Sequence, residues 1–328
     1  MFNKKFIFNP FKKLIKRKSL LLVTFFLSST SFALDTFDLY QILNNSTIRV
    51  NIIENYGSDQ RELHRAGSGV IINEYRGKYY ILTNAHVLLS QFCLLDAVDE
   101  NCQDYLYDDS KTIVVDTTNS SYEYPITGDD FIFWEDLDLA VIVLDSTMYK
   151  DDMDGFDVIK MGGIWHPLQK VYSAGFPLVL GNYKDYRNIF YDSCVINSVI
   201  LDEESLIELD NYSIVHDCRV AGGMSGGPLV SDDGELMGIN GLAGNAILEQ
   251  GIFGQITSTD FDNLNYAYAI HVYELYSSVL TTNSGNFNPQ SKFYNFLPRL
   301  SIFEHQGLYD YFIEELNLEK NLVDKVFK

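Results

Sequence analysis

From about residue 47 to residue 271 the chain is a train of short runs rich in valine, isoleucine, tyrosine and threonine, separated by turn-forming residues. The clearest runs are 47–53, 69–72, 79–82, 112–115, 139–144, 171–174, 193–199, 212–215, 228–230, 236–239 and 266–270. β-Branched and aromatic residues in short, regularly spaced runs predict an all-β barrel or sandwich. Helical character enters only later. Residues 272–280 read as a helix, and over 307–328 Leu308, Tyr311, Phe312, Leu316, Leu318, Leu322, Val323, Val326 and Phe327 fall near helical spacing.

Chemistry concentrates in residues 222–229, GGMSGGPL, where Ser225 stands between pairs of glycines just ahead of an apolar run. Glycines let a backbone turn sharply and approach a reacting carbonyl closely. Two converging N–H groups in such a turn make an oxyanion hole. A serine needs a base to become a nucleophile, and the base needs an orienting group. His86, in Ile81-Leu82-Thr83-Asn84-Ala85-His86-Val87, follows a short apolar strand and is the candidate base. Asp138 stands at the mouth of the apolar run 139–144 and is the candidate carboxylate. A buried carboxylate seeks a hydrogen-bonding partner, and an imidazole N–H is a suitable one. The remaining histidines, His64, His166, His216, His271 and His305, lack comparable context and read as surface or structural residues.

The order His, Asp, Ser separates the chymotrypsin arrangement from the subtilisin and α/β-hydrolase orders. Thr83-Asn84-Ala85-His86, Asp138-Leu139-Ala140-Val141 and Gly223-Met224-Ser225-Gly226-Gly227-Pro228 resemble the three signatures of the trypsin-like serine peptidases. Gly238-Ile239-Asn240-Gly241 and Tyr268-Ala269-Ile270 resemble two later strands of that family, especially its bacterial branches. The resemblance spans about residues 46–280. It implies two antiparallel six-stranded β-barrels with the active site in the cleft between them, followed by a C-terminal helix and a helical extension. It implies His86, Asp138 and Ser225 as catalytic residues, with the N–H groups of Gly223 and Ser225 as the oxyanion hole. By motif position it also implies a substrate pocket walled by Arg219, Val220 and Ala221, by Gly241, Leu242 and Ala243, and by Tyr266.

The chain departs from the family in two places. Met224 stands before the serine, where many relatives carry an acid or amide, and no Ile-Val-Gly-Gly segment follows a basic residue. Both partners of the activating ion pair are missing together, so activation by a freed N-terminus is not expected. No aspartate lies six residues before Ser225; Arg219 stands there. A preference for lysine or arginine at P1 is therefore not expected. If Arg219 faces inward it would favour an acidic P1 side chain, and if outward the pocket is apolar.

Lys4, Lys5, Lys12, Lys13, Lys16, Arg17 and Lys18 precede an apolar stretch over 20–27 and the small-x-small site Ser31-Phe32-Ala33. Residues 1–33 therefore read as a secretory signal peptide, the alternative being an uncleaved membrane anchor. Formal net charge is −21 for the whole chain, and the basic segment makes the remainder more acidic still. Such a surface repels phosphate backbones and argues against nucleic acid as a partner. The four cysteines in an exported chain favour disulfides, with Cys93 near Cys102 and Cys194 near Cys218 in sequence. No CxxC or His/Cys spacing predicts a metal site, and no cofactor is expected.

The expected organisation is thus a signal segment at 1–33 and a peptidase domain at 34–280. Within the domain the first barrel covers about 46–150 and the second about 156–271. A polar linker at 281–291 (TTNSGNFNPQS) and an extension at 292–328 follow. The functional expectation is a secreted or periplasmic serine endopeptidase acting on proteins or peptides. The competing expectation is a catalytically silent binding protein on the same fold.

Overall fold

The computed structural model describes residues 34–55, 61–89, 111–118, 123–126, 130–134, 137–145, 156–162, 166–178, 187–197, 212–243, 266–281, 297–301, 305–315, 320–324 and 326–327. The expected signal segment at 1–33, the residues 151–155 between the two expected barrels, Cys93 and Cys102 lie outside them, as does the expected linker except for Thr281.

Two antiparallel sheets carry the fold. The first holds β1 (Thr47–Asn55), β2 (Arg61–Tyr75), β3 (Lys78–Thr83), β4 (Lys111–Asp116), β5 (Tyr124–Ile126), β6 (Phe131–Trp134) and β7 (Leu139–Asp145), in the order β5-β4-β1-β2-β3-β7-β6. The second holds β8 (Lys160–Met161), β9 (Lys170–Gly175), β10 (Phe190–Val195), β11 (Ile214–His216), β12 (Pro228–Ser231), β13 (Glu235–Ala243) and β14 (Ala267–His271). Its order is β10-β9-β12-β13-β14-β11, with β8 pairing in parallel with β13. Each sheet curls into a half-barrel, as expected for the two-barrel architecture. Among the described residues each has seven strands, where six were expected. The strands that the eleven sequence runs do not include are β5, β6 and β8, whose two to four residues are too short to show a period.

The apolar run in β7 is unbroken because both its faces are buried. Ala140 and Ile142 point into the first half-barrel with Ile48, Val50, Ile71 and Ile81. Leu139 and Val141 point the other way, into a second core shared with Val70, Ile72 and Leu82. That second core also takes Tyr172, Val230, Leu236, Ile239 and Ile270 from the second sheet, so it cements one sheet to the other. A third cluster, Val171, Ile196, Ile214, Leu229, Met237 and Ala269, fills the second half-barrel. Residues i and i+1 of a strand thus feed different cores, as the two-residue period requires.

Both ends of the described chain enter the inter-sheet core. Helix α1 (Thr36–Ser46) starts at Asp35, whose carboxylate accepts the Phe37 N–H at 3.3 Å, and buries Leu39 and Leu43. Helix α3 (Val272–Thr281) follows β14 directly and buries Val272, Leu275, Tyr276 and Val279. The extension folds into α4 (Gln306–Asp310), a π-helical turn (Tyr311–Glu315) and α5 (Lys320–Val323). Its Leu297, Leu300, Leu308, Phe312, Val323, Val326 and Phe327 join the same core as Leu39 and Leu43. No helix among the described residues is long and apolar enough to cross a membrane.

Candidate active site

Ser225 lies in the turn between β11 and β12. Gly223 (φ +91°) and Gly226 (φ +86°) hold left-handed backbone on either side of it. A β-carbon at Gly226 would sit 2.0 Å from the Ser68 carbonyl oxygen, so no other residue fits there. The turn is closed by its own hydrogen bonds. The Met224 N–H donates to Ala221 O (2.9 Å), that of Gly226 to Asn240 O (2.7 Å) and that of Gly227 to Met224 O (3.0 Å). Among the described residues, no acceptor takes the N–H groups of Gly223 and Ser225. They are the two amides expected to form an oxyanion hole. The Met224 side chain is fully buried, a position where an unpaired acid would be costly.

His86 sits on α2 (Ala85–Leu88), a single helical turn that follows β3. Asp138 sits in the turn before β7 with φ +51°, a conformation aspartate tolerates better than most side chains. Its carbonyl accepts the Ala85 N–H and the Asn84 Nδ2–H, both at 3.1 Å. Its carboxylate spans the histidine: Oδ1 accepts the His86 backbone N–H at 2.8 Å and Oδ2 faces Nδ1 at 2.7 Å. An ionised carboxylate only accepts, so this network assigns the proton to Nδ1 and leaves the Nε2 lone pair free. The Tyr212 hydroxyl donates to the same Oδ2. Burial, with the Asp138 charge adding to it, pushes the Tyr212 phenol well above its ordinary value, so it stays protonated. The Ser225 hydroxyl donates to Gly241 O at 3.0 Å rather than to His86.

Several residues that sequence reasoning did not single out build this site. Ser68 of β2 donates through Oγ to Gly223 O (2.8 Å) and accepts the Phe176 N–H (2.9 Å), while its own N–H donates to Ser225 O (2.7 Å). Buried Asn240 donates through Nδ2 to Ser173 Oγ, Gly227 O and Pro228 O. Arg187 is buried between the sheets. Its Nη2 reaches Val50 O (3.1 Å), Asn51 Oδ1 (2.8 Å) and Gly67 O (2.9 Å), and its Nη1 reaches Phe176 O and Gly223 O. Burial lowers its guanidinium to about 9, which keeps it charged at neutral pH. A polar residue inside an apolar strand, as at Ser68 and Asn240, was the available signal. Arg187 adjoins a stretch without periodicity and gave none.

Cys194 and Cys218 form a disulfide that ties β10 to the segment leading into the serine turn. His216 lies against it, its Nδ1 3.8 Å from Cys194 Sγ and accepting the Cys218 N–H at 3.3 Å. The disulfide occupies both sulfurs of this cluster, which leaves no thiolate for a metal. Of the expected pocket residues, Arg219 turns to solvent. It pairs with Asp192 (3.0 Å) and stacks on Phe190. Ala221 is exposed, Val220, Leu242 and Tyr266 are half-buried, and Gly241 is buried. Leu242, Tyr266 and Tyr212 pack around Val215 and Tyr268. The Ala243 side chain lies outside the described residues.

Residues 67–239 match the trypsin-like peptidase domain. The chain is also similar to a probable periplasmic serine endoprotease, DegP-like, of Buchnera aphidicola subsp. Baizongia pistaciae, at 29% identity over 186 residues. That alignment takes in 55% of this chain and 31% of the relative, so the chain spans about a third of the length of the curated protein it matches. With more than half of its residues inside the matched domain, on two curled antiparallel sheets, the chain belongs to the trypsin-like serine peptidases.

Proposed function

We propose that this protein is an exported serine endopeptidase in which Ser225 is the nucleophile, His86 the base and Asp138 its orienting carboxylate. The observation that carries this reading is the two-point hold of Asp138 on His86, which leaves Nε2 as a base. It is supported by the amides of Gly223 and Ser225, which no acceptor takes among the described residues. In the reaction the Ser225 proton leaves the Gly241 carbonyl and passes to His86 Nε2 as Oγ adds to the peptide carbonyl. The Gly223 and Ser225 N–H groups take the oxyanion. His86 then returns the proton to the leaving amine, and water repeats the cycle on the acyl-enzyme. Export rests on the basic-apolar-small pattern of residues 1–33 and on the periplasmic relative.

The P1 pocket is apolar in this reading. Arg219 has its carboxylate partner at Asp192, and the side chains left for a pocket wall are Val220, Leu242 and Tyr266. Fluorophosphonate labelling of the purified protein, followed by peptide mapping, tests the assignment. The label should sit on Ser225 and disappear in Ser225→Ala. An unlabelled wild-type protein would instead make the chain a silent binding module on the peptidase fold.

A further inference from the structure

Asp138 leads into the first sheet and Ser225 into the second, and Tyr212 contacts the machinery of both. Its hydroxyl donates to Asp138 Oδ2, the oxygen that also faces His86 Nδ1. Its ring occupies the space beside Gly241. A β-carbon built on Gly241 would lie 2.1 Å from Tyr212 Cε1 and 2.6 Å from its hydroxyl oxygen. Gly241 is not in the left-handed region, so its backbone does not call for glycine. The missing side chain is explained by the ring. The carbonyl of the same Gly241 accepts the Ser225 hydroxyl at 3.0 Å.

A carboxylate turns easily about its last side-chain bond. Two donors from His86 fix it only relative to the histidine, and both come from the helical turn that follows β3 of the first sheet. The third donor comes from residue 212, two residues before β11 of the second sheet. We propose that Tyr212 is a positioning residue for the triad: its hydroxyl, admitted by the side-chain-free Gly241, fixes the Asp138 carboxylate against the sheet that carries Ser225. The proposal rests on the triad reading above.

The full chain is assayed with a chromogenic peptide substrate, beginning with Tyr212→Phe, which removes only the hydroxyl. A lost hydrogen bond to a charged group should lower kcat about tenfold. KM should stay within about twofold, because no substrate contact is touched. Tyr212→Ala should lower kcat at least as far. Adding Gly241→Ser to Tyr212→Ala places a new hydroxyl where the tyrosine ring had been, and should recover most of the lost kcat. Thermal melts confirm that each variant is folded, and a loss due only to packing would not be rescued by a small hydroxyl. Full kcat in Tyr212→Phe, or a folded double variant no faster than Tyr212→Ala, overturns the proposal. A wild-type protein that neither cleaves nor takes a fluorophosphonate overturns the triad reading itself, so the two failures are distinguishable.

Discussion

The Ser68 N–H donates to the Ser225 carbonyl at 2.7 Å, one residue-to-residue bond that joins β2 of the first sheet to the serine turn of the second. The Ser68 hydroxyl holds the next contact, Gly223 O. The turn is therefore oriented from outside as well as by its own glycines.

Ser68→Ala should weaken that orientation. It leaves the buried Phe176 N–H without its acceptor and Gly223 O with Arg187 alone. We expect a stability loss of about 1–3 kcal/mol by urea denaturation. The rate should also fall, with the loss in kcat, since the Gly223 amide is aimed through the peptide units on either side of it.

The triad variants should separate by role. Ser225→Ala should abolish turnover while leaving the melting temperature close to wild type. Asp138→Asn should lower kcat by roughly 10⁴, because an amide can stabilise the wrong imidazole tautomer. Active-site titration beside each rate measurement checks this. Undiminished activity in Ser225→Ala would remove the serine mechanism.

His216 should make the protein acid-sensitive. Burial lowers its imidazole to about 4, against the opposing pull of Asn240, Asp217 and Asp192. The unfolded chain gains this proton near the ordinary value of about 6.5, well before the folded chain does. The stability tied to neutral His216 is therefore complete above about 6.5 and is lost as pH falls toward 4, by on the order of 3 kcal/mol. Urea midpoints at several pH values should show the slope. His216→Gln, which keeps an acceptor for the Cys218 amide, should flatten it; an unchanged slope would assign the effect to other groups.

Phe312 should behave as a core residue although it lies beyond the peptidase barrels. It is fully buried and packs edge-on against Phe327. Phe312→Ala should cost about 3–5 kcal/mol. A melt unchanged by the substitution would show that the extension does not share the inter-sheet core.

The strands were legible, and the serine turn stood out as a candidate site, for the same reason: each depends on residues close in sequence. Leu139–Asp145 is apolar at every position but the last because two cores claim alternate residues. The serine turn announces itself through glycines at fixed offsets. Helix α1 lies ahead of the first run read as a strand; Asp35 as its cap and Leu39 with Leu43 one turn apart are its signal in the sequence. Strand β5 is three residues long with Pro125 at its middle, which suits an edge and hides it from periodicity. In the sequence Tyr212 stands only at the start of the run 212–215. Its contact with Asp138 crosses 74 positions and depends on a gap beside Gly241, a relationship of shapes that no short window contains.

Leu39 and Phe327 meet in one core although nearly the whole chain separates them. A ribosome making this protein finishes the serine turn roughly a hundred residues before it reaches Phe327. Until that last stretch emerges, the core that joins the sheets lacks the side chains of the extension. The order of synthesis thus delays the fully joined sheets until the chain has been read to residue 327.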